Sequence, residues 1–262
     1  MSNRSTVQRI EAEQAHERTT FPRRLLLSTV AAVALLNTLP LTLAQAQSDA
    51  ASSSKPRIGI IGAGTVGATL GGLFVAAGYP IILSSRHPEE LRALSTKLGP
   101  LSSVATPKEA AASSQIILMA VPFGALAQLG ASLRQELRGK IVIDATNPYP
   151  WRDGDVAVLA EKEGVGLVSA SLLPNARLVR AFNTMSTLTI AKEAHRPGAP
   201  LAIPIAGDDG KALEAVTLLI RDIGLEPVKV GGLASARLFQ PGALGWQAIG
   251  TASELRARFQ LP

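Results

Sequence analysis

The chain has 262 residues, no cysteine and a formal charge of +6 at neutral pH. Apolar residues make up 47% and charged residues 18%, a balance that supports a buried core and excludes wholesale disorder. The missing cysteines exclude disulfides and thiolate metal sites. The scattered histidines (His16, His87, His195) lack metal-ligand spacing, and scarce aromatics without a dense Lys/Arg cluster argue against a nucleic-acid surface.

Residues 1–22 are polar and of mixed charge. Phe21-Pro22-Arg23-Arg24-Leu25-Leu26-Leu27 follows, then a moderately apolar stretch to Leu43 and the small residues Ala44-Gln45-Ala46. Ser28, Thr29, Asn37, Thr38, Pro40 and Thr42 make that stretch too polar for a stable membrane span. Residues 1–46 therefore read as a signal peptide. The arginine pair ahead of the leucines resembles a twin-arginine (Tat) signal, with Pro22 in the usual Ser/Thr place and Ser28 in the usual Lys place. An ordinary secretory signal and an uncleaved membrane tether are the alternatives. A Tat leader implies export of the folded chain to the periplasm or another exterior compartment. Five arginines and three glutamates belong to the leader, so part of the basic charge does too. Residues 47–56, with the run Ala50–Ser54, read as a flexible linker.

Ile58–Ile61 is an apolar, β-branched run that predicts a buried strand. Gly62-Ala63-Gly64-Thr65-Val66-Gly67 follows, and then Leu70, Leu73, Phe74 and Ala77 lie at helical spacing up to Gly78. Strand, GxGxxG and helix in that order predict a dinucleotide site. Gly62 supplies the tight turn, Gly64 lets a pyrophosphate approach the backbone, and Gly67 lets the helix pack close to the strand. The diphosphate would rest on free N–H groups at the helix N-terminus.

The next strand, Ile81–Leu83, runs into Ser84-Ser85-Arg86, with no acid before Glu89. An NAD enzyme places Asp or Glu here for the ribose 2′-hydroxyl. Two hydroxyls and a guanidinium suit a 2′-phosphate instead, so the pattern selects NADP(H).

The alternation then repeats. Pro88–Leu98 reads as a helix, Ser102–Ala105 as a strand, and Thr106–Glu109 as a capping box with proline at the first helical position. Gln115–Val121 reads as a strand, Gly124–Leu137 as a helix, and Ile141–Asp144 as a strand ending in Ala145-Thr146-Asn147-Pro148. Lys211–Ile223 is a helix that Asp208-Asp209 would cap, and Pro227–Val230 is a strand. Asp144 reads as a strand-end anchor, and Tyr149, Trp151 and Trp246 as packing or pocket residues. The fold expected is α/β: a Rossmann-type, doubly wound, mostly parallel sheet with a small C-terminal α/β extension. Residues 57–185 would form the NADP-binding domain and residues 186–262 a smaller part completing the sheet and substrate pocket.

Several segments together resemble the coenzyme F420-dependent NADP oxidoreductase family. They are Ile58–Gly67, Leu83–Arg86, Ala120-Val121-Pro122, Gly139–Pro148, Leu178–Thr184 and Ile205–Asp209. The cytosolic NADPH domains of the six-transmembrane ferric reductases are similar. The resemblance implies that Gly62, Gly64, Thr65, Val66 and Gly67 hold the pyrophosphate and that Ser84, Ser85 and Arg86 hold the 2′-phosphate. It also implies that Val121 and Pro122 line the adenosine or nicotinamide ribose, and that Thr146, Asn147, Pro148, Asn183 and Thr184 edge the nicotinamide and acceptor pocket. Asn183 stands where archaeal F420 reducers tend to carry histidine.

The function expected is an NADPH-dependent oxidoreductase. It would pass hydride to a small planar acceptor (deazaflavin, flavin or quinone-like), with a second bound deazaflavin or flavin left open. No metal and no side-chain catalyst is assigned. The other reading is an exported dinucleotide-binding module without turnover, a redox sensor or partner subunit. A β-hydroxyacid or pyrroline-carboxylate type dehydrogenase is disfavoured, because only about thirty residues follow Val230 where those enzymes add a helical domain of about 100. The segment from Gly231 to Pro241 could form a homodimer contact or close the pocket, and both are left open.

Overall fold

The computed structural model describes residues 55–262, so the signal-peptide reading and most of the linker lie outside the described residues. Eight strands form one sheet. They are β1 (Ile58–Ile61), β2 (Ile81–Ser84), β3 (Ser102–Ala105), β4 (Ile116–Met119), β5 (Ile141–Asp144), β6 (Arg177–Arg180), β7 (Ala202–Gly207) and β8 (Glu226–Gly231). Their order is β3-β2-β1-β4-β5-β6-β7-β8. Neighbours run parallel except β6 and β7, which meet antiparallel through Val179–Gly207 and Arg180–Ala206. This is the Rossmann-type α/β fold, with β7 and β8 extending the same sheet.

The central strands are buried along their whole length because helices cover both faces of the sheet. On one side Leu70 and Phe74 of α1 (Thr65–Ala76) pack with Ile58, Leu83 and Ile203. On the other, Phe123, Leu126 and Val168 pack with Ile61, Ile117 and Val142. The chain order reverses between β1 and β4, and the crevice outside their carboxyl ends is where such sheets bind ligands.

Local chemistry sets the helix ends. Gly78 takes a left-handed φ of 84° after α1, as the helix-stop reading expects. Pro88–Leu98 divides into a 3₁₀ turn (Pro88–Leu91) and α2 (Arg92–Leu98). Thr106 and Glu109 form the expected capping box on α3 (Pro107–Ser113). At the other end of α3, the Lys140 ammonium donates to the carbonyls of Ala111, Ala112 and Ser114 at 2.6–2.8 Å.

The helix expected over Gly124–Leu137 is a correction. A 3₁₀ turn (Phe123–Ala125) leads into α4 (Leu126–Ser132), which stops five residues short of Leu137. Residues 150–172 form α5 (Pro150–Asp153), α6 (Asp155–Glu163) and α7 (Val165–Leu172). A Cβ on Gly130 would lie 1.9 Å from the Leu172 carbonyl, so α4 and the end of α7 meet backbone to backbone. α8 (Thr187–Glu193), α9 (Gly210–Asp222) and α10 (Ala252–Phe259) complete the helices among the described residues, with a 3₁₀ segment at Leu233–Phe239.

Asp209 caps α9 by accepting from the Ala212 N–H at 2.8 Å, as its sequence reading expects. It also pairs with both arms of Arg177, at 2.7 and 2.8 Å. That guanidinium, with the Ala212 N–H, holds the Asp209 carboxyl well below the usual carboxylate range. In acid, between the folded and unfolded pKa, the unfolded chain binds more protons, so stability rises with pH. The Asp209 contribution is full above the ordinary carboxylate range and is lost as pH falls through it towards the folded value. Asp209→Asn, which keeps the cap and removes the charge, is expected to lower Tm at neutral pH. It should also flatten the fall of Tm below about pH 4 in melts taken across pH.

Candidate active site

The site begins at the carboxyl end of β1. Gly62 has a φ of 96°, and its N–H and that of Ala63 donate to the Ser84 carbonyl at 3.0 and 3.1 Å. A Cβ on Gly62 would lie 2.5 Å from the Ala120 carbonyl, so only glycine turns the chain here. A Cβ on Gly67 would lie 2.1 Å from the Gly62 carbonyl, which records how closely α1 approaches the turn. Gly64 behaves differently: a Cβ there would meet nothing within 4 Å, because it would project into open space.

The N-terminus of α1 has no side-chain cap and no acid in its first turn. Side chains cap α3, α9 and α10 through Thr106, Asp209 and Thr251, whereas α2, α4, α5, α6 and α7 start uncapped as α1 does; what sets α1 apart is that two clefts meet at its N-cap residue, Gly64. An uncapped helix start presents free N–H groups and the positive end of the helix dipole, a natural seat for an anion.

Two clefts open on this helix start and share Gly64, Ala120, Val121 and Pro122. One, of about 500 Å³, runs under the end of β2 past Ser85 and Arg86 to Gln128 and Ser132. The other, of about 520 Å³, runs across β4 and β5 to Asn147, Tyr149, Arg152, Asn183 and Trp246. Together they make a groove along the carboxyl edge, its two parts meeting at Gly64, Ala120, Val121 and Pro122.

Most of the expected contact residues gather along this groove. Gly62, Gly64, Thr65, Val66, Ser85, Arg86, Val121, Pro122, Asn147 and Asn183 line one cleft or the other. Gly67 acts from beneath, through packing. Pro148 and Thr184 are buried and line neither cleft. Ser84 is a correction: it is fully buried, and its hydroxyl donates to the Ile60 carbonyl at 2.8 Å. Its proton is spent inside the sheet, which leaves Ser85 and Arg86 to meet a phosphate. Ser85 Oγ accepts from the His87 N–H at 3.0 Å and keeps its own proton free. Arg86 is exposed and makes no ion pair among the described residues. No carboxylate lines this cleft, so the donors present fit a 2′-phosphate better than a ribose hydroxyl.

The second cleft rests on a buried ion pair. Arg180 and Asp144, both wholly inaccessible, meet at 2.6 Å. Asp144 also accepts from the N–H and hydroxyl of Thr146, at 2.9 and 2.7 Å, and Arg180 donates to the Thr146 carbonyl at 2.8 Å. The pair thus fixes the turn that carries Asn147, and Asp144 is the loop anchor its strand-end position suggests. Asn147 and Asn183 clasp each other: the Asn147 amide donates to the Asn183 carbonyl at 2.7 Å, and the Asn183 amide to Asn147 Oδ1 at 3.3 Å. Phe182 sits in the left-handed region at φ 62°, a strain its buried ring sustains by packing edge-on against Phe74 at 6.2 Å.

Of the cleft's outer wall, the sequence leaves Tyr149 and Trp246 open as packing or pocket residues and points to neither Asp153 nor Gln247. Asp153 is its hub, accepting from the N–H groups of Tyr149 and Gly124 and from Arg152, all at 2.8–3.0 Å. Burial pushes the Asp153 carboxyl up, but these donors outweigh it and hold the group below its ordinary value. Trp246 and Gln247 reach the cleft from the C-terminal segment, where the Gln247 N–H donates to the Thr184 carbonyl at 2.8 Å. No local signal in the sequence places that segment here.

A glycine turn, a bare helix start and a two-part groove at the strand-order reversal define a dinucleotide-binding protein of the Rossmann class. Residues 57–148 match the model of a family described as NADP oxidoreductase coenzyme F420-dependent. The F420-dependent NADP reductase of Methanothermobacter thermautotrophicus is 30% identical over 198 residues, covering 70% of this chain and 84% of that one. The rat (Rattus norvegicus) metalloreductase STEAP3 is 30% identical over 182 residues, 70% of this chain; the match spans only 35% of that protein's length. Among solved structures, the hypothetical protein SMa0349 from Sinorhizobium meliloti superposes with a TM-score of 0.65 at 26% identity, covering 78% of this chain and 98% of that one. The chain belongs to the coenzyme F420-dependent NADP oxidoreductase family, a family of NADP-binding oxidoreductases.

Proposed function

We propose that the chain oxidises NADPH and delivers hydride to a planar acceptor of deazaflavin, flavin or quinone type. The observation that carries this reading is the uncapped start of α1 beneath Gly64, opening on both sides into one groove. The nicotinamide supplies the hydride; the chain binds, orients and excludes water. Thr65, Val66 and Gly67 would offer backbone N–H groups to the diphosphate, Ser85 and Arg86 would take the 2′-phosphate, and Asn147 and Asn183 would border the nicotinamide. No histidine, aspartate or glutamate lines the second cleft, and hydride transfer between stacked rings depends on positioning by the chain, with the nicotinamide carrying the chemistry.

NADPH oxidation followed at 340 nm with flavins, quinones, a deazaflavin and ferric chelates tests the reading. Turnover with a planar acceptor supports it. Tight NADPH binding without turnover on any acceptor would favour the non-catalytic module. Arg86→Ala is expected to weaken NADP⁺ by about 10- to 100-fold, the worth of a charged phosphate contact, and to leave NAD⁺ within about twofold. Calorimetric titration of both nucleotides checks this.

For location we propose export by the twin-arginine route, supported by Arg23-Arg24 ahead of the leucines and by Ala44-Gln45-Ala46. Among the described residues no helix is long and apolar enough to cross a membrane. Replacing Arg23 and Arg24 by lysine is expected to hold the protein in the cytoplasm, as read by cell fractionation.

A further inference from the structure

Two loops border the groove beyond β4 and β5, and one carboxylate joins them. The first follows β4 and carries Val121, Pro122 and the 3₁₀ turn Phe123–Ala125. The second follows β5 and carries Thr146, Asn147, Tyr149 and Arg152. Asp153 Oδ1 accepts from the Gly124 N–H at 3.0 Å, and its Oδ2 accepts from the Tyr149 N–H at 2.9 Å. The last strand contact runs from the Ala145 N–H to the Met119 carbonyl; beyond it, the Gly124 bond is the one hydrogen bond between the two loops among the described residues. A Cβ on Gly124 would lie 3.2 Å from Asp153 Oδ1, so the turn is bare where the carboxylate seats.

The same carboxylate reaches further through its neighbour. Arg152 Nε and Nη2 donate to Asp153 at 3.0 and 2.8 Å, and Nη2 also donates to the Asn147 carbonyl at 2.8 Å. Asn147 in turn clasps Asn183 beyond the end of β6. Hydrogen bonds therefore run unbroken from Gly124 through Asp153 and Arg152 to Asn147 and Asn183. The Asp153 side chain is 2% exposed. Burying a carboxylate is costly unless donors surround it, and four do here. α5 puts no side chain into the apolar core, so these hydrogen bonds, not packing, hold it in place.

We propose that Asp153 is a positioning residue for the nicotinamide half of the dinucleotide. It ties the turn after Pro122 to Asn147 through Gly124 and Arg152, and so fixes the lining of the second cleft before a ligand enters. The inference rests on the reading of the groove as an NADP(H) site with Asn147 and Asn183 beside the nicotinamide. Asp153 itself lines neither cleft, so its effect passes through Arg152 and Asn147. Ser85 and Arg86, in the other cleft, share no hydrogen bond with this network among the described residues. The adenosine end of the nucleotide is therefore independent of it. A wall that is already ordered loses little freedom when the nicotinamide binds, and that saving is the affinity Asp153 contributes.

The test titrates the full chain calorimetrically with two probes and no acceptor. NADPH spans both clefts. Adenosine 2′,5′-bisphosphate keeps the adenosine, its 2′-phosphate and one 5′-phosphate but lacks the nicotinamide half. Asp153→Asn is expected to weaken NADPH about five- to tenfold, the worth of ordering one or two side chains, and to leave the bisphosphate within about twofold. Gly124→Val, at an exposed turn that lines neither cleft, crowds the carboxylate from its other side and should give the same selective loss. It decides the matter if Asp153→Asn does not fold. At saturation, the emission anisotropy of the bound reduced nicotinamide should fall in both variants, a signal that a loss of stability alone would not move. Equal loss of both probes, an unchanged NADPH affinity or an unchanged anisotropy overturns the proposal. A parent protein that binds neither probe overturns the dinucleotide reading, and this inference with it. The parent titration therefore tells the two failures apart.

Discussion

Arg180→Met is expected to destabilise the protein by about 3–5 kcal/mol, the cost of leaving one member of a buried ion pair alone. Arg180 and Asp144 are both wholly inaccessible and 2.6 Å apart, so removing the guanidinium strands a carboxylate in the sheet. A domain of this size is stable by roughly 5–15 kcal/mol, so a fall in Tm of about 10 °C or more should follow. Adding Asp144→Asn should recover most of the loss, because it removes the stranded charge and keeps an oxygen for the Thr146 N–H. NADPH affinity should not recover with it. The Thr146 carbonyl still lacks its Arg180 donor, so the turn carrying Asn147 is released. Thermal melts beside nucleotide titrations separate the two effects. Equal recovery of both would show that the pair serves stability alone.

Gly67→Ala and Gly64→Ala are expected to fail in opposite ways. At Gly67 the new methyl would sit 2.1 Å from the Gly62 carbonyl, so α1 must move away from β1. Overpacking of this kind costs about 1–3 kcal/mol, and Tm should fall by about 5–10 °C together with nucleotide binding. At Gly64 the backbone has an ordinary φ of −71° and the methyl meets nothing. Stability should stay within about 0.5 kcal/mol of the parent. Binding should still weaken about tenfold or more, because the methyl occupies the space through which the diphosphate reaches the helix N–H groups. Melts and calorimetry on the two variants decide it, and a Gly64→Ala protein that binds NADPH normally would remove the diphosphate from this position.

The glycine turn was legible because its requirements are local: a strand, three glycines at fixed spacing and a helix stripe. Thr106–Glu109 and Asp209 were legible for the same reason, since a cap is set within four residues. Strand ends moved inward, as at Ile116–Met119, because pairing stops before the apolar run does. What long-range contact decides was not legible. Nothing near Gly130 in the chain announces that Leu172 will lie against it. Ser84 read as a free hydroxyl, but as the last residue of β2 it turns into the sheet and reaches Ile60. No role was read for Arg180; only the pairing of β5 with β6 sets Asp144 opposite it. The wall from Tyr149 to Asp153 and the arrival of Trp246 depend on loops more than ninety residues apart, a relation visible only once the sheet is assembled.

That distance has an evolutionary side. The phosphate-facing residues at the glycine turn and the end of β2 come from residues 61–86, whereas the far wall of the second cleft comes from residues 149–152 and 246–247. The two meet only at Gly64, Ala120, Val121 and Pro122. On the proposed reading, exchange of those two surface loops would change the acceptor end of the groove while leaving the turn at Gly62–Gly67 and the Ser85–Arg86 corner in place. Chimaeras that graft those loops between family members would inherit the substrate preference of the loop donor.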